Sequence, residues 1–232
     1  MNLKNKTSLI TGGSTGIGKA IAKEFMQKGA KIIIFGKNKP DYECEFHKVD
    51  VSKEEQIKSA INKVKSIDIL VNNAGIFAGD TIEKTTTEEI NKVIDTNIKG
   101  VFWMCKYSIY KISKGGCIIN IGSISGITPR PGNSIYSLSK AAIINLTKSL
   151  ALELIENEIR VNCINPGVID TPIWLKSETS KEEGLSNLKR SATRHPMKRA
   201  GKPEEIAHAT IFLAENDFTT GTILAVDGGA TI

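Results

Sequence analysis

Seven short, strongly apolar runs alternate with longer stretches of helical character, and that alternation leaves few folds open. The runs are Thr7–Ile10, Lys31–Phe35, Glu45–Val49, Ile67–Val71, Cys117–Ile121, Arg160–Ile164 and Ile223–Val226. Most are continuously apolar, as parallel strands covered on both faces are. Helices are expected near Gly16–Lys28, Lys53–Lys65, Thr87–Ser113, Ser134–Asn157 and Pro203–Ala214. Parallel neighbours need helical crossovers, so the expected class is α/β: a doubly wound, seven-stranded parallel sheet with helices on both faces. No repeat or Pro/Ser-rich linker interrupts the pattern, and residues 1–232 are read as one domain.

One connection breaks the rule. Between Phe35 and Glu45 only nine residues remain, too few for the usual crossover, so a short link without a proper helix is expected there. Two helices carry more apolar side chains than one sheet-facing stripe needs. Ser134–Asn157 holds Ile135, Leu138, Leu150 and Leu152, and Thr87–Ser113 holds Val101, Phe102, Trp103 and Tyr110 among others. That excess implies a homo-oligomer, dimer or tetramer, burying their outer faces; a sticky monomer surface is the alternative.

Composition excludes several function classes. With 40% apolar and 24% charged residues, the chain is globular, not disordered. No apolar run approaches the roughly 18–20 residues of a membrane helix. The run at Thr7–Ile10 is too short for a secretory signal, so a cytoplasmic protein is expected. The net charge of +6 is spread along the chain, mostly as lysine, with no cluster for nucleic acid. Cys44, Cys105, Cys117 and Cys163 share no close spacing, and His47, His195 and His208 are isolated, so neither disulfides nor a metal site is expected. Ser123 lies in no Gly-x-Ser-x-Gly elbow, which argues against a hydrolase.

The chemistry starts at Thr11-Gly12-Gly13-Ser14-Thr15-Gly16-Ile17-Gly18, between the first strand and the first helix. Glycines let backbone approach a pyrophosphate, and the helix N-terminus offers free N–H groups with the positive end of its dipole. Tyr136 and Lys140 stand one helical turn apart on one face. A free phenol, with a pKa of ~10, is a poor acid–base group near neutrality, and a nearby ammonium favours its ionised form.

The spacing Gly-x-x-x-Gly-x-Gly resembles the short-chain dehydrogenase/reductase family. So do Asp50-Val51, Asn72-Asn73-Ala74-Gly75, Asn97, Ser123, Tyr136-x-x-x-Lys140, Asn165-Pro166-Gly167 with Thr171, and Val226-Asp227-Gly228-Gly229, in family order along nearly the whole chain. The resemblance implies a Rossmann-type fold and a nicotinamide dinucleotide. Gly12, Ser14, Gly16, Ile17 and Gly18 would line its pyrophosphate, Asp50 and Val51 its adenine, and Asn73, Ala74 and Gly75 its adenosine ribose. Pro166, Gly167, Val168 and Thr171 would meet the nicotinamide. Gly75 and Gly167 as simple turns, and Asp50 as a helix cap, are compatible readings.

Cofactor choice is read after the second strand, where an acid favours NAD and a base NADP. Gly36 stands where NAD-dependent relatives carry the acid, Lys37 follows, and Thr15 occupies a second position where some NADP-dependent relatives place a base. NADP is the expected preference, with NAD possible and Lys37 as an ordinary solvated lysine the alternative. By resemblance the catalytic set is Asn97, Ser123, Tyr136 and Lys140. Ser123 would bond the substrate oxygen, Tyr136 would move the proton, Lys140 would also hold the nicotinamide ribose, and Asn97 would hold a water linking Lys140 to solvent. Hydride would pass between the nicotinamide and a carbinol carbon.

The segment 170–199 is long for a connection, which suggests a lid. Trp174 either walls the pocket or packs on the core, and Asn133 lies close enough to Tyr136 in sequence to touch substrate. The stretch His195–Arg199 with Gly201–Glu205 looks like family members acting on sugars or on 3-oxoacyl groups of a carrier protein. The leading expectation is an oxidoreductase for a small-molecule secondary alcohol or carbonyl. The alternative is a catalytically silent dinucleotide-binding regulatory or scaffold protein, which would have no need of the Tyr136/Lys140 pair.

Overall fold

The computed structural model describes residues 1–176 and 180–232. Seven parallel strands run β1 Thr7–Thr11, β2 Lys31–Gly36, β3 Glu45–Lys48, β4 Ile67–Asn72, β5 Ile112–Ile121, β6 Arg160–Pro166 and β7 Ile223–Val226, in the order β3-β2-β1-β4-β5-β6-β7. The helices are α1 Gly16–Gln27, α2 Glu54–Lys63, α3 Thr87–Val93, α4 Gly100–Ser108, α5 Ser134–Glu153, α6 Ile173–Lys176, α7 Lys181–Ala192 and α8 Pro203–Glu215. This is the doubly wound, Rossmann-type α/β sheet that the apolar runs call for. Strand order reverses between β1 and β4, and a crevice opens there beyond the strand C-termini.

Successive strand residues point to opposite faces, so each continuous apolar run serves two cores. Leu9, Ile33, Phe35, Leu70, Ile118 and Val161 pack on one face with Ile57, Met104 and Ile143 from α2, α4 and α5. Ile10, Ile34, Val71, Ile119 and Ile164 pack on the other with Ile21, Phe25, Ile206 and Leu213 from α1 and α8. Each fully buried side chain of this size contributes about 1.5–3 kcal/mol.

The 37–44 link has no helix. Side chains hold it instead: the Tyr42 hydroxyl donates to Gly13 O at 2.7 Å, and Asp41 pairs with Lys19 at 2.6 Å. Burial pushes the Tyr42 phenol above its usual range.

Three expected boundaries move. The single helix Thr87–Ser113 is divided: α3 opens on a Thr86/Glu89 capping box, Ile94–Lys99 winds as a π turn, and α4 stops at Ser108. The π turn sets Gly100 against Val51, where a Cβ would lie 2.8 Å from the Val51 carbonyl. Strand β5 then starts at Ile112, five residues early, because Gly115 (φ 75°) and Gly116 form an irregularity between Ile67/Ile112 and Ile69/Cys117. The expected helix to Asn157 ends at Glu153. The segment 170–199 holds α6 and α7, and residues 177–179 of it lie outside the described residues.

Helices α4 and α5 place Val101, Met104, Ile143 and Leu150 in the core and leave Phe102, Leu138 and Leu152 exposed, Leu152 by 78%, as is Tyr110 in the turn after α4. No helix among the described residues is long and apolar enough to cross a membrane.

Candidate active site

Strand β1 ends at Thr11, and the chain turns with Gly12 at φ 68° and Gly16 at φ 57°. A Cβ at Gly12 would lie 3.0 Å from Ala74 Cα, and one at Gly18 would lie 2.5 Å from Gly12 O. The cradle therefore depends on bare backbone at both positions. Thr15 is the N-cap of α1 but makes no side-chain cap, and no acid stands in the first turn, so no side chain there competes with an anion.

Neighbouring strands brace this loop. Thr11 Oγ1 accepts from the N–H groups of Asn73 and Ala74, each at 3.0 Å, and Asn73 Nδ2 donates to Thr11 O and Gly12 O. The Asn73 amide group thus holds the loop together as well as following β4.

Lys37 and Asp50, thirteen residues apart in sequence, form an ion pair at 2.9 Å. Burial opposes ionisation of Asp50, but Lys37 and two hydrogen bonds from Ser52 outweigh it and hold the carboxyl below its usual range. The Lys37 side chain is two-thirds exposed, and at an exposed site such a pair is weak enough to open.

The expected catalytic residues converge. Lys140, on α5, is buried; its Nζ donates to Ile121 O at 2.9 Å and lies 5.7 Å from the Tyr136 ring centroid. Ser123 follows β5, is buried, and accepts from Ser125 N at 3.1 Å, leaving its own hydroxyl proton to point elsewhere. Its backbone N–H donates to Asn165 Oδ1 at 3.2 Å.

Asn97, inside the π turn, accepts from Ile76 N at 2.9 Å and donates to Ile76 O at 2.9 Å and Ser139 Oγ at 3.1 Å. Both amide protons are therefore used, and Ser139 passes the chain on by donating to Tyr136 O at 2.7 Å. Gly75 allows this approach, since a Cβ there would lie 3.3 Å from Asn97 Oδ1 and 3.7 Å from Lys140 Nζ.

Sequence reasoning gave no role to Thr11, Ser139 or Asn165, which stand inside its motifs, and missed Phe77. Phe77 packs edge-to-face on Tyr136, with ring centroids 5.1 Å apart. Asn165 left a signal, a polar residue just after the apolar run of β6, and it forces the neighbouring Gly122: a Cβ there would lie 2.1 Å from Asn165 Oδ1.

The other wall forms after β6. Gly167 N donates to Val226 O at 3.0 Å, and Val168 is half-buried. A Cβ on Gly16 would lie 3.3 Å from Thr171 Cγ2, so the glycine loop and the start of the 170–199 segment touch. Trp174 is half-buried and donates from Nε1 to Ile169 O at 2.9 Å, which ties it to the segment's own base. Asn133 is the half-buried N-cap of α5 and makes no side-chain cap.

Comparison with known proteins agrees with this geometry. Residues 12–231 match the family model described as enoyl-(acyl carrier protein) reductase. The ligand-free aldohexose dehydrogenase of Thermoplasma acidophilum is similar with a TM-score of 0.92 and 36% identity, over 99% of this chain and 95% of that one. ElxO with NADP bound gives 0.86 and 35%, over 97% and 98%. The 3-ketoacyl-(acyl-carrier-protein) reductase of Brucella melitensis complexed with NADH gives 0.86 and 31%, over 99% and 100%. A family match of this extent, on a sheet carrying the glycine cradle and the Ser123, Tyr136 and Lys140 group, makes the chain a member of the short-chain dehydrogenase/reductase family.

Proposed function

We propose that this oxidoreductase interconverts a secondary alcohol and a carbonyl on a small molecule with a nicotinamide dinucleotide, NADP in preference to NAD. The observation that carries the reading is Lys140 Nζ held 5.7 Å from the Tyr136 ring centroid, in a fold whose first turn is a cradle that a Cβ at Gly12 or Gly18 would fill. Gly12, Ser14, Thr15, Gly16, Ile17 and Gly18 would hold the pyrophosphate. Asp50, Val51, Asn73, Ala74 and Gly75 would take the adenosine half, and Pro166, Gly167, Val168 and Thr171 the nicotinamide half. When bound, the nucleotide donates or accepts the hydride.

The protein's own part is proton transfer and positioning. Ser123 donates a hydrogen bond to the substrate oxygen, since accepting from Ser125 N leaves its hydroxyl proton uncommitted. Tyr136 delivers a proton to that oxygen in reduction and removes it in oxidation. The Lys140 ammonium places its positive charge near the Tyr136 ring and is oriented by Ile121 O. Ser139 and Asn97 fix the first turn of the catalytic helix against the loop after β4. Asn133 and Trp174 would border the substrate side.

Substrates are sought among aldoses and 3-oxoacyl thioesters, the classes that the neighbours' names suggest, and among simple ketones. The test is a panel of these with NADPH, NADH and the oxidised forms, followed at ~340 nm where the reduced nicotinamide absorbs. Turnover of at least one class supports the proposal. Tight nucleotide binding with no turnover of any class contradicts it and leaves a silent binding protein.

Lys37 carries the NADP preference. Leaving Asp50 for a 2′-phosphate exchanges one charge-assisted bond for another of higher charge. Lys37→Ala is expected to lower kcat/KM with NADPH about tenfold, roughly 1.4 kcal/mol, and with NADH by less than about twofold. Equal losses with both would remove Lys37 from the recognition of the phosphate.

We also propose that a second copy of the chain covers the exposed Phe102, Leu138 and Leu152. Sedimentation at the mass of one chain would contradict this. A cytoplasmic location fits the four free cysteines, three of them buried.

A further inference from the structure

His195 belongs to none of the groups above. It lies where the 170–199 segment returns to the sheet, and it is only 1% exposed. Its Nδ1 stands 2.7 Å from the carbonyl oxygen of Asp227. A carbonyl only accepts, so Nδ1 carries a proton and, in the neutral ring, Nε2 is an acceptor. That buried Nε2 has no hydrogen-bond partner.

The ring sits between three segments. A Cβ on Gly167 would lie 2.8 Å from His195 Cε1 and 2.8 Å from Asp227 Cα, so imidazole, glycine and the 227–229 turn are packed without a gap. Gly167 N donates to Val226 O, and Met197 N donates to Gly228 O at 3.2 Å, which completes the clasp. A leucine would fill this volume without burying a lone pair, so the retained acceptor asks for a role beyond packing.

We propose that His195 is a positioning residue for the nicotinamide half of the nucleotide: a wedge, held through its Nδ1–H on Asp227 O, that sets Gly167. The inference rests on the proposed nucleotide site. It assigns His195 no contact with the reacting atoms.

The experiment compares binding of NADPH with binding of 2′-phospho-ADP-ribose, which lacks the nicotinamide. Wild type, His195→Leu and His195→Asn are titrated, the asparagine keeping an N–H donor near the position of Nδ1. The expected result is about a tenfold higher Kd for NADPH in His195→Leu, an unchanged Kd for 2′-phospho-ADP-ribose, and recovery to within about threefold in His195→Asn. Equal weakening of both ligands, or no weakening of either, overturns the proposal.

A second readout does not need a stable leucine variant. The chain has three histidines, so imidazole 15N resonances of the wild type are separable. His195 is expected as the Nδ1–H tautomer, with its Nε2 resonance moved by NADPH and not by 2′-phospho-ADP-ribose. A ring with its only proton on Nε2, or equal movement by both ligands, contradicts it. If wild type binds neither ligand, the nucleotide site itself fails, which is a different result from any of these.

Discussion

Tyr136→Phe is expected to lower kcat by about a thousandfold while leaving the Kd for the nucleotide within about threefold of wild type. The size follows from what the hydroxyl does. General acid–base groups contribute about 10² to 10⁴ in rate, and no other titratable side chain among the catalytic set can reach the substrate oxygen in its place. Lys140 is turned toward Ile121 O, and Ser123 is a neutral hydroxyl. The ring is retained in the variant, so its edge contact with Phe77 and the packing of α5 survive. Loss of kcat with intact binding is the signature of an interaction made in the transition state. A variant with wild-type turnover would show that the proton is moved by another group. A parallel loss of binding and thermal stability would show that Tyr136 is a packing residue.

Lys140→Met is expected to do broader damage. The methionine keeps the apolar stem but removes the ammonium that is buried beside the phenol and bonded to Ile121 O. Turnover is expected to fall by about a thousandfold or more, because the proton-transferring hydroxyl of Tyr136 loses the positive charge nearby. Nucleotide affinity is expected to fall about tenfold as well, since the same group faces the crevice next to Gly75. The Ile121 carbonyl is left without its partner, at a cost of about 1–3 kcal/mol in stability. Parallel measurement of kcat, nucleotide Kd and Tm separates these effects. An enzyme that keeps its affinity and loses only rate would confine Lys140 to tuning Tyr136. One that keeps both would refute its role in the site.

The sheet was legible because each strand is a short apolar run serving two cores, as Leu9 and Ile10 do on opposite faces. The glycine loop, Ser123 and the Tyr136/Lys140 pair were legible because their spacing is local. The π turn at Ile94–Lys99 was not: the apolar pattern runs through it unbroken, and only the approach of Gly100 to Val51 shows why the helix changes pitch. The early start of β5 was hidden by Gly115-Gly116, which reads as a loop and acts as an irregularity inside a strand.

Pairings between distant residues left the faintest trace. Nothing local to Lys37 announces Asp50 as its partner. The polar residues inside β4, β5 and β6 did carry a signal. Asn72 and Asn165 follow the apolar runs of β4 and β6, Asn120 lies inside that of β5, and a buried amide in a central strand must find partners. Asn72 Nδ2 donates to Asn120 Oδ1 at 2.9 Å, Asn120 Nδ2 donates to Thr147 Oγ1 at 2.9 Å, and Asn165 accepts from Ser123 N. Asn120 ties the sheet to α5, Asn72 joins β4 to β5, and Asn165 holds the backbone of Ser123.

The most direct test of the central claim is a crystal structure of the wild-type protein grown with NADPH. The account predicts the pyrophosphate over the backbone of Gly12–Gly18, the ribose of the nicotinamide within hydrogen-bond reach of Lys140, and the Tyr136 hydroxyl facing the nicotinamide ring. A nucleotide bound elsewhere on the sheet, or a Tyr136 hydroxyl turned away from that ring, would contradict it.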